Sequence, residues 1–481
     1  MSLTINAFDD ASRDYLYNLS NIYLKEFSEE DIALTAEMTE DGENVTCTAF
    51  ISIGTEKGSY TVTLSVKDHF TFARLKSLSV GVSFFMASRR FTDYKAPFGI
   101  LTGVRPAKIA YFYLVNGVSE EKCLGILEEL YFLNKEKAAV CVKAAKHEFS
   151  QKKIYGDSSC GVYISIPFCP TRCSYCSFIS SAAPKQLKLI PDYLHLLEEE
   201  ISELGRICKD SGVSPRSFYV GGGTPGILTA GQITSLLTKV NNSFDMSEVT
   251  EVTFELGRPD TVSEDKLCAL IGAGVNRLCV NTQTTSDDVL KKIGRAHTAE
   301  DFFRAYELSV KAGFKNINVD LIAGLTGDTI EGFIKSIDGV SALSPANLTV
   351  HTLCMKRASE ETESGITAYG EKDEISEMIS YSEKKLSSLG YEPYYLYRQK
   401  NAKGNYENTG YALNGNICAY NVIMMEDVCT VLSAGAGAVT KILRPGKSAK
   451  RFSSFKYPYE YINQNEKVRS TLSMIEEELL T

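Results

Sequence analysis

The 481-residue chain reads as an α/β protein: an open (β/α)6 three-quarter TIM-like barrel with an α+β N-terminal domain and a small C-terminal domain. Three observations predict this. Between Val162 and Thr352, β-branched apolar runs alternate with amphipathic stretches long enough to be crossover helices, the pattern of a parallel sheet with helices outside. Six such units occur, fewer than a closed eightfold barrel needs. The chain is also too long for one ordinary core, and the alternation is confined to its middle, so residues 1–155, 156–364 and 365–481 are expected as three domains. A doubly wound sheet satisfies the same periodicity, and in either fold ligands sit beyond the C-terminal ends of the strands.

In the first domain, Val45–Ile53 and Tyr60–Val66 alternate apolar and polar residues around a turn between Gly54 and Gly58, which predicts a β-hairpin. Helical patterns flank it, and three short helices are expected from Arg105 to about Ser150. The segment APFGILTGVRP, Ala96 to Pro106, interrupts the pattern with turn residues. In the barrel the expected strands are Val162–Phe168, Ser217–Val220, Glu251–Leu256, Arg277–Gln283, Asn316–Ile322 and Leu348–Leu353. Pro191–Ile207 and Asp301–Lys311 read as two of the helices between them. The last domain opens with a charged helix, Glu371–Leu389, followed by a tyrosine-rich stretch at 391–397. Its Leu432–Ala438 run of Gly and Ala is short and apolar, which suits a tight backbone approach better than a flexible linker.

Composition narrows the function classes. Apolar content of 44% and charged content of 23% belong to a globular protein. A net charge of −9 argues against a nucleic-acid partner, which calls for a basic stripe. No basic-then-apolar signal opens the chain, and the longest apolar run, Val80 to Ala87, is too short for a membrane span. Thirteen cysteines without a secretory signal imply a reducing, cytoplasmic setting where they remain thiols or hold metal.

Chemistry concentrates after the first barrel strand, in VYISIPFCPTRCSYCSF from Val162 to Phe178. Pro167 and Pro170 stop the strand, and Cys169, Cys173 and Cys176 follow with Cys-x3-Cys-x2-Cys spacing. Thiolates so spaced on a short loop converge on one soft metal centre, and three of them leave one iron of a four-iron cluster open. Zinc competes, although a structural zinc wants a fourth ligand and no further Cys or His is near. A redox dithiol at Cys173 and Cys176 is a second alternative, and three small hydrophobes a third.

The other chemistry-bearing residues fall at strand ends. Gly221-Gly222-Gly223-Thr224-Pro225 follows the second strand; its glycines permit close backbone approach to a ligand, and it lacks the lysine of a phosphate loop. Glu255 ends strand three and Gln283 strand four, an acceptor and a donor–acceptor pair that are ordinary solvated termini if taken singly. Ile293-Gly294-Arg295-Ala296-His297 offers a guanidinium fork suited to a carboxylate. Asp320 stands in an otherwise apolar strand, where a carboxylate needs a partner.

Together these strings resemble the radical S-adenosylmethionine (SAM) enzymes, and YISIPFCPTRCSYCSF is similar to their oxygen-independent coproporphyrinogen III oxidase family, most of all its HemZ-type branch. The resemblance covers nearly the whole chain. It implies a [4Fe–4S] cluster on Cys169, Cys173 and Cys176 whose open iron chelates the methionine end of SAM. It also implies SAM contacts from Tyr163, Gly223, Thr224, Glu255, Gln283, Arg295 and Asp320. The backbone near Cys354, with Tyr175 and Phe178, is implied to face adenine, and the C-terminal domain to close over the substrate. His297 matches the same pattern without an assigned role.

The implied reaction is oxidative decarboxylation of coproporphyrinogen III to protoporphyrinogen IX through a SAM-derived 5′-deoxyadenosyl radical. It needs a tetrapyrrole substrate and a low-potential electron donor such as flavodoxin or ferredoxin. Arg105, Lys356, Arg357 and Arg398 are candidate partners for the substrate propionates. One position departs from the family's decarboxylases, which often carry a fourth cysteine where Phe178 stands. The heme-chaperone branch of the superfamily also has Phe there, together with a C-terminal His-Asn-x-x-Tyr-Trp signature. This chain instead reads Ala419-Tyr420-Asn421-Val422 and contains no tryptophan, so the enzyme is expected first.

Overall fold

The computed structural model describes residues 2–69, 71–176, 184–354, 372–399 and 406–480. The chain divides into two compact units, Met1–Ala145 and Lys146–Thr481. In the first, β1 (Leu3–Asn6) pairs in parallel with β2 (Ile32–Asp41), and α1 (Asp10–Tyr23) connects them. Strands β3 (Asn44–Ile53) and β4 (Glu56–Ser65) complete an antiparallel arrangement. The expected hairpin is present but tighter than its sequence suggested: Ile53 pairs with Glu56, leaving a two-residue turn. Val45, Cys47, Ala49, Ile51 and Ile53 are buried, the alternate-residue face that period-two patterning demands. A short α2 (Val66–His69) leads to α3 (Phe72–Ser88), which packs on this sheet and contains the Val80–Ala87 run. The three helices expected after Arg105 are α4 (Ala107–Val115), α5 (Glu120–Glu129) and α6 (Lys135–Ile154), the last crossing into the second unit.

The second unit is one open, eleven-stranded sheet. Its middle is the expected six-strand parallel array: β5 (Ser159–Ile166), β6 (Ser214–Gly222), β7 (Glu251–Glu255), β8 (Arg277–Cys279), β9 (Asn316–Ala323) and β10 (Asn347–Thr352). The helices between them are α7 (Pro184–Leu187), α8 (Ile190–Asp210), α9 (Ala230–Ser243), α10 (Glu264–Gly272), α11 (Asp287–Lys292), α12 (Ala299–Lys311) and α13 (Ile330–Ala342). Helix α8 shows why the pattern was legible: Tyr193, Leu194, Leu197, Ile201, Leu204 and Cys208 are buried at three- and four-residue spacing. Strand β8 is shorter than the expected Arg277–Gln283: beyond Cys279 the backbone keeps only a bond from Val280 N to Asn318 O, at 3.0 Å, and a bridge between Gln283 and Leu321.

Residues after β10 extend this sheet at both edges. After α14 (Lys372–Ser388), strand β11 (Tyr391–Arg398) pairs with β12 (Glu407–Leu413), which lies antiparallel to β10. Helix α15 (Ala419–Glu426) packs against β5, β6, β11 and β13. Strand β13 (Thr430–Ala434) runs parallel to β5, and β14 (Val439–Ile442) and β15 (Lys450–Ser453) continue that edge before α16 (Pro458–Asn463) and α17 (Asn465–Leu480).

Two buried polar clusters bind these additions to the core. Glu251 accepts hydrogen bonds from the Ala419 and Tyr420 amides at 3.0 and 3.1 Å, capping α15, while Arg277 Nε pairs with the same carboxylate at 3.0 Å. Glu200 of α8 accepts the Gly435 amide at 2.8 Å and the Tyr461 hydroxyl at 2.6 Å. Gly435 has φ +97°, and a Cβ there would lie 2.5 Å from the Tyr193 hydroxyl, so the Gly/Ala run is a close backbone approach.

Candidate active site

The C-terminal ends of the parallel strands surround a cavity of about 280 Å3. Cys169, Cys173 and Cys176 line it, on the loop that follows β5, and each is half-buried. That loop is clasped from two sides. Thr171 donates to the Gly294 carbonyl at 3.0 Å, and the Ser174 amide donates to the Ile293 carbonyl at 3.1 Å. From the other side, the Gly223 amide donates to Ile166 O at 2.9 Å and the Thr224 amide to Phe168 O at 2.7 Å. A Cβ on Gly223 would lie 2.6 Å from the Phe168 carbonyl oxygen, so only glycine lets the two loops meet. Thr224 then places its hydroxyl 3.3 Å from Cys169 Sγ as donor.

The remaining wall is polar. Glu255 receives the Tyr219 hydroxyl at 3.3 Å and Asn281 Nδ2 at 3.5 Å. Burial, reinforced by the Asp320 charge, pushes its carboxyl up to about 8. Asp320 goes the other way. Burial opposes its ionisation, but His351, Asn318 and Thr349 together outweigh this and hold it below the usual carboxylate range. Asn318 Nδ2 donates to Asp320 Oδ1 at 2.7 Å, and His351 Nε2 lies 3.7 Å from Oδ2. One carboxylate beside another thus stays protonated while its neighbour stays charged.

Gln283 has φ +73°, a strained backbone for a residue with a side chain. Its amide donates to Asp320 O at 3.0 Å and its carbonyl accepts from Ile322 N at 2.9 Å, which holds the strain in place. Its buried Oε1 has no partner among the described residues. Arg295 Nη2 donates to Asn281 O at 2.7 Å and Gly257 O at 3.1 Å, and Nη1 to the Tyr175 hydroxyl at 3.2 Å. Only Nε is left over, buried and unpartnered among the described residues. His297 is buried outside the cavity lining; burial, helped by the Arg295 charge, lowers it to about 4, so it is neutral near pH 7.

Twelve of the thirteen residues singled out in the sequence therefore line one cavity, Tyr163 and Cys354 included. Phe178 lies outside the described residues, as do Lys356 and Arg357. Arg105 belongs to the first unit. Arg398 is buried at the end of β11 and does not line the cavity, whereas its neighbours Tyr397 and Gln399 do, as strand alternation requires.

Several lining residues were missed. Arg258, three residues past β7, pairs with Asp260 at 2.9 Å and reaches Thr171 inside the cysteine loop. His351 Nδ1 lies 3.2 Å from Asn408 Oδ1, an oxygen that also accepts the Thr352 amide. A strand-end position was the available signal for Asn281 and His351; nothing local marks Asn408. Tyr420 is buried and stacks on Tyr219 at 4.8 Å and Tyr163 at 6.0 Å.

This donor set suits a cluster carrying a polar cofactor. Three thiols share one loop, and the unpartnered Gln283 Oε1 and Arg295 Nε lie against the same space as the Glu255 and Asp320 carboxylates. Among the described residues, no three His, Cys, Asp or Glu side chains converge on a single ion. A family model for the radical SAM superfamily matches residues 163–339. The coproporphyrinogen III oxidase HemN from Escherichia coli, a radical SAM enzyme, shares the fold with a TM-score of 0.50 at 22% identity over 66% of this chain and 72% of that one. The heme chaperone HemW of Haemophilus influenzae is 28% identical over 63% of this chain and 75% of its own length. The oxygen-independent coproporphyrinogen-III oxidase-like protein HemZ of Bacillus subtilis is 33% identical over 94% of this chain and 93% of its own. The cofactors of this superfamily are a [4Fe–4S] cluster and SAM. Similarity sustained across nearly the full length of both chains makes this protein a member of the HemZ-type, oxygen-independent coproporphyrinogen-III oxidase-like family of radical SAM proteins.

Proposed function

We propose that the protein oxidatively decarboxylates coproporphyrinogen III to protoporphyrinogen IX without oxygen, taking electrons from a low-potential carrier such as flavodoxin or ferredoxin. The observation that carries this reading is the single cavity in which the three thiols meet Glu255, Gln283, Arg295 and Asp320. Cys169, Cys173 and Cys176 are the cluster ligands. When bound, the cluster and SAM supply a one-electron route to hydrogen abstraction from a substrate propionate.

The chain's own residues orient that chemistry. Asp320, held ionised by its neighbours, is the acceptor for ribose hydroxyls, and protonated Glu255 beside it is a donor. Gln283 Oε1 and Arg295 Nε take the polar methionine end, since both are buried and otherwise unpaired among the described residues. Tyr175, held by Arg295 and packed near Val289, Ile293 and Leu353, gives an apolar face for adenine.

A second reading, a heme-binding chaperone, is favoured by the relatives named heme chaperone HemW. Against it, Tyr420, which stands in the chain where that branch has its heme signature, is enclosed in a tyrosine stack and offers no accessible ligand. Anaerobic incubation of the reconstituted protein with SAM, a reductant and coproporphyrinogen III separates the two. The enzyme yields 5′-deoxyadenosine, a partly decarboxylated intermediate and protoporphyrinogen IX. Background SAM cleavage combined with tight, stoichiometric heme binding would transfer the assignment to the chaperone.

A further inference from the structure

A second cavity, of about 240 Å3, shares no lining residue with the first. Glu200 lines it, although that residue is only 7% exposed. Both of its hydrogen bonds, from Gly435 N and Tyr461 Oη, go to Oε2, so Oε1 has no partner among the described residues. Ser454 also lines the cavity, and its buried hydroxyl is unpartnered among the described residues. Leu472 and Phe455 supply apolar wall. Lys467 is exposed on the lining; its ammonium donates to Gln464 Oε1 at 2.9 Å and stands over the Phe455 ring, 5.9 Å from the centroid.

A carboxylate oxygen with no protein partner, on a residue this buried, favours a proton or a cation beside it. Burial pushes the Glu200 carboxyl up to about 7, so near neutral pH it is part ionised, and a cation beside it favours that ionised form. The apolar part of the wall, Phe452, Phe455, Val468, Leu472 and Ile475, favours an organic cation over a hydrated metal ion, and Lys467 adds a place for an anion. We propose that this cavity binds a small zwitterion, an α-amino acid with an apolar side chain, its ammonium on Glu200 and its carboxylate toward Lys467.

The site is wired to the first. Glu200 holds Gly435; the adjoining Ala436 carbonyl accepts Ser165 Oγ at 2.7 Å, and the Tyr193 hydroxyl bridges Ala436 N and Ser165 O at 2.9 and 2.8 Å. Ser165 is on β5, four residues before Cys169.

Calorimetric titration of the full-length protein with L-leucine, 3-methylbutylamine and 4-methylpentanoate tests this. Both amines should bind saturably, with Kd of about 1 mM or tighter for leucine, as expected of one ion pair and one buried apolar group. The acid, lacking the ammonium, should not bind. Glu200→Gln should weaken leucine by about tenfold or more, the loss of one charged hydrogen bond. Thr471→Phe, which fills the same cavity without touching the carboxylate, should abolish binding while the melting curve stays cooperative. Absence of saturable binding by both amines, or unchanged leucine affinity in both variants, overturns the proposal.

Discussion

Thr224 donates its hydroxyl to Cys169 Sγ across 3.3 Å, joining the glycine-rich loop after the second parallel strand to the first thiol of the cysteine loop. Hydrogen bonds to cluster sulfurs raise the reduction potential. Thr224→Val should therefore retain about four irons per chain, the complement of the cluster, while moving its potential to more negative values. Cys169→Ala, by contrast, should lose most of the iron, and Cys268→Ala, at an exposed cysteine of α10, should keep it. Iron analysis with potentiometric titration followed by electron paramagnetic resonance reads both effects. Equal potentials in parent and Thr224→Val would show that this bond does not reach the cluster.

SAM affinity should respond to the polar wall. Glu255→Ala, Gln283→Ala, Arg295→Ala and Asp320→Ala each remove a contact to a charged or strongly polar ligand, at about 1.5–3 kcal/mol or roughly ten- to over a hundred-fold in Kd. The cluster's absorbance should survive in all four. Anaerobic equilibrium dialysis with labelled SAM checks this, and parental affinity in every variant would mean the cofactor binds elsewhere.

The buried pair of Arg277 and Glu251 holds the start of α15. Arg277→Met leaves the Glu251 carboxylate buried without its counter-charge, and should cost about 3–5 kcal/mol of stability. Replacing both residues with apolar ones should recover part of that loss. Urea denaturation of the two variants and the parent measures the difference.

Glu200 predicts a pH dependence of stability. Its carboxyl, near 4.5 when unperturbed, is pushed up to about 7 by burial, against the opposing bonds from Tyr461 and Gly435. The native state thus holds the proton more tightly than the unfolded chain. The stabilisation is complete below about pH 4.5 and is lost as pH rises through about 7, on the order of 3 kcal/mol in all. Glu200→Gln cannot ionise and keeps an oxygen for the Gly435 amide, so its melting temperature should fall less than the parent's between pH 5 and pH 8, roughly that titration window. Parallel melting curves across that range would contradict the assignment.

By itself the sequence determined the parallel array and the identity of about half of the cavity wall. Period and spacing are local properties: alternation of apolar runs and helical stripes shows which faces are buried, and three cysteines on one short loop line the same cavity wherever that loop folds. Strand ends in a parallel sheet all point one way, so Glu255, Gln283 and Asp320 were brought together by topology that the alternation already implied. Only the tertiary structure decided which strands pair outside that array and what reaches the cavity from far along the chain. Asn408 meets His351 because β12 lies antiparallel to β10, and Glu200 meets Gly435 because β13 returns beside β5. Arg258 reaches Thr171 from a different loop, and Gln283 adopts positive φ because its backbone bonds on both sides to β9. Periodicity records which side of a strand faces the core, but it carries no information about the neighbour across the ladder, and it is that neighbour which turns a lone polar residue into part of a site.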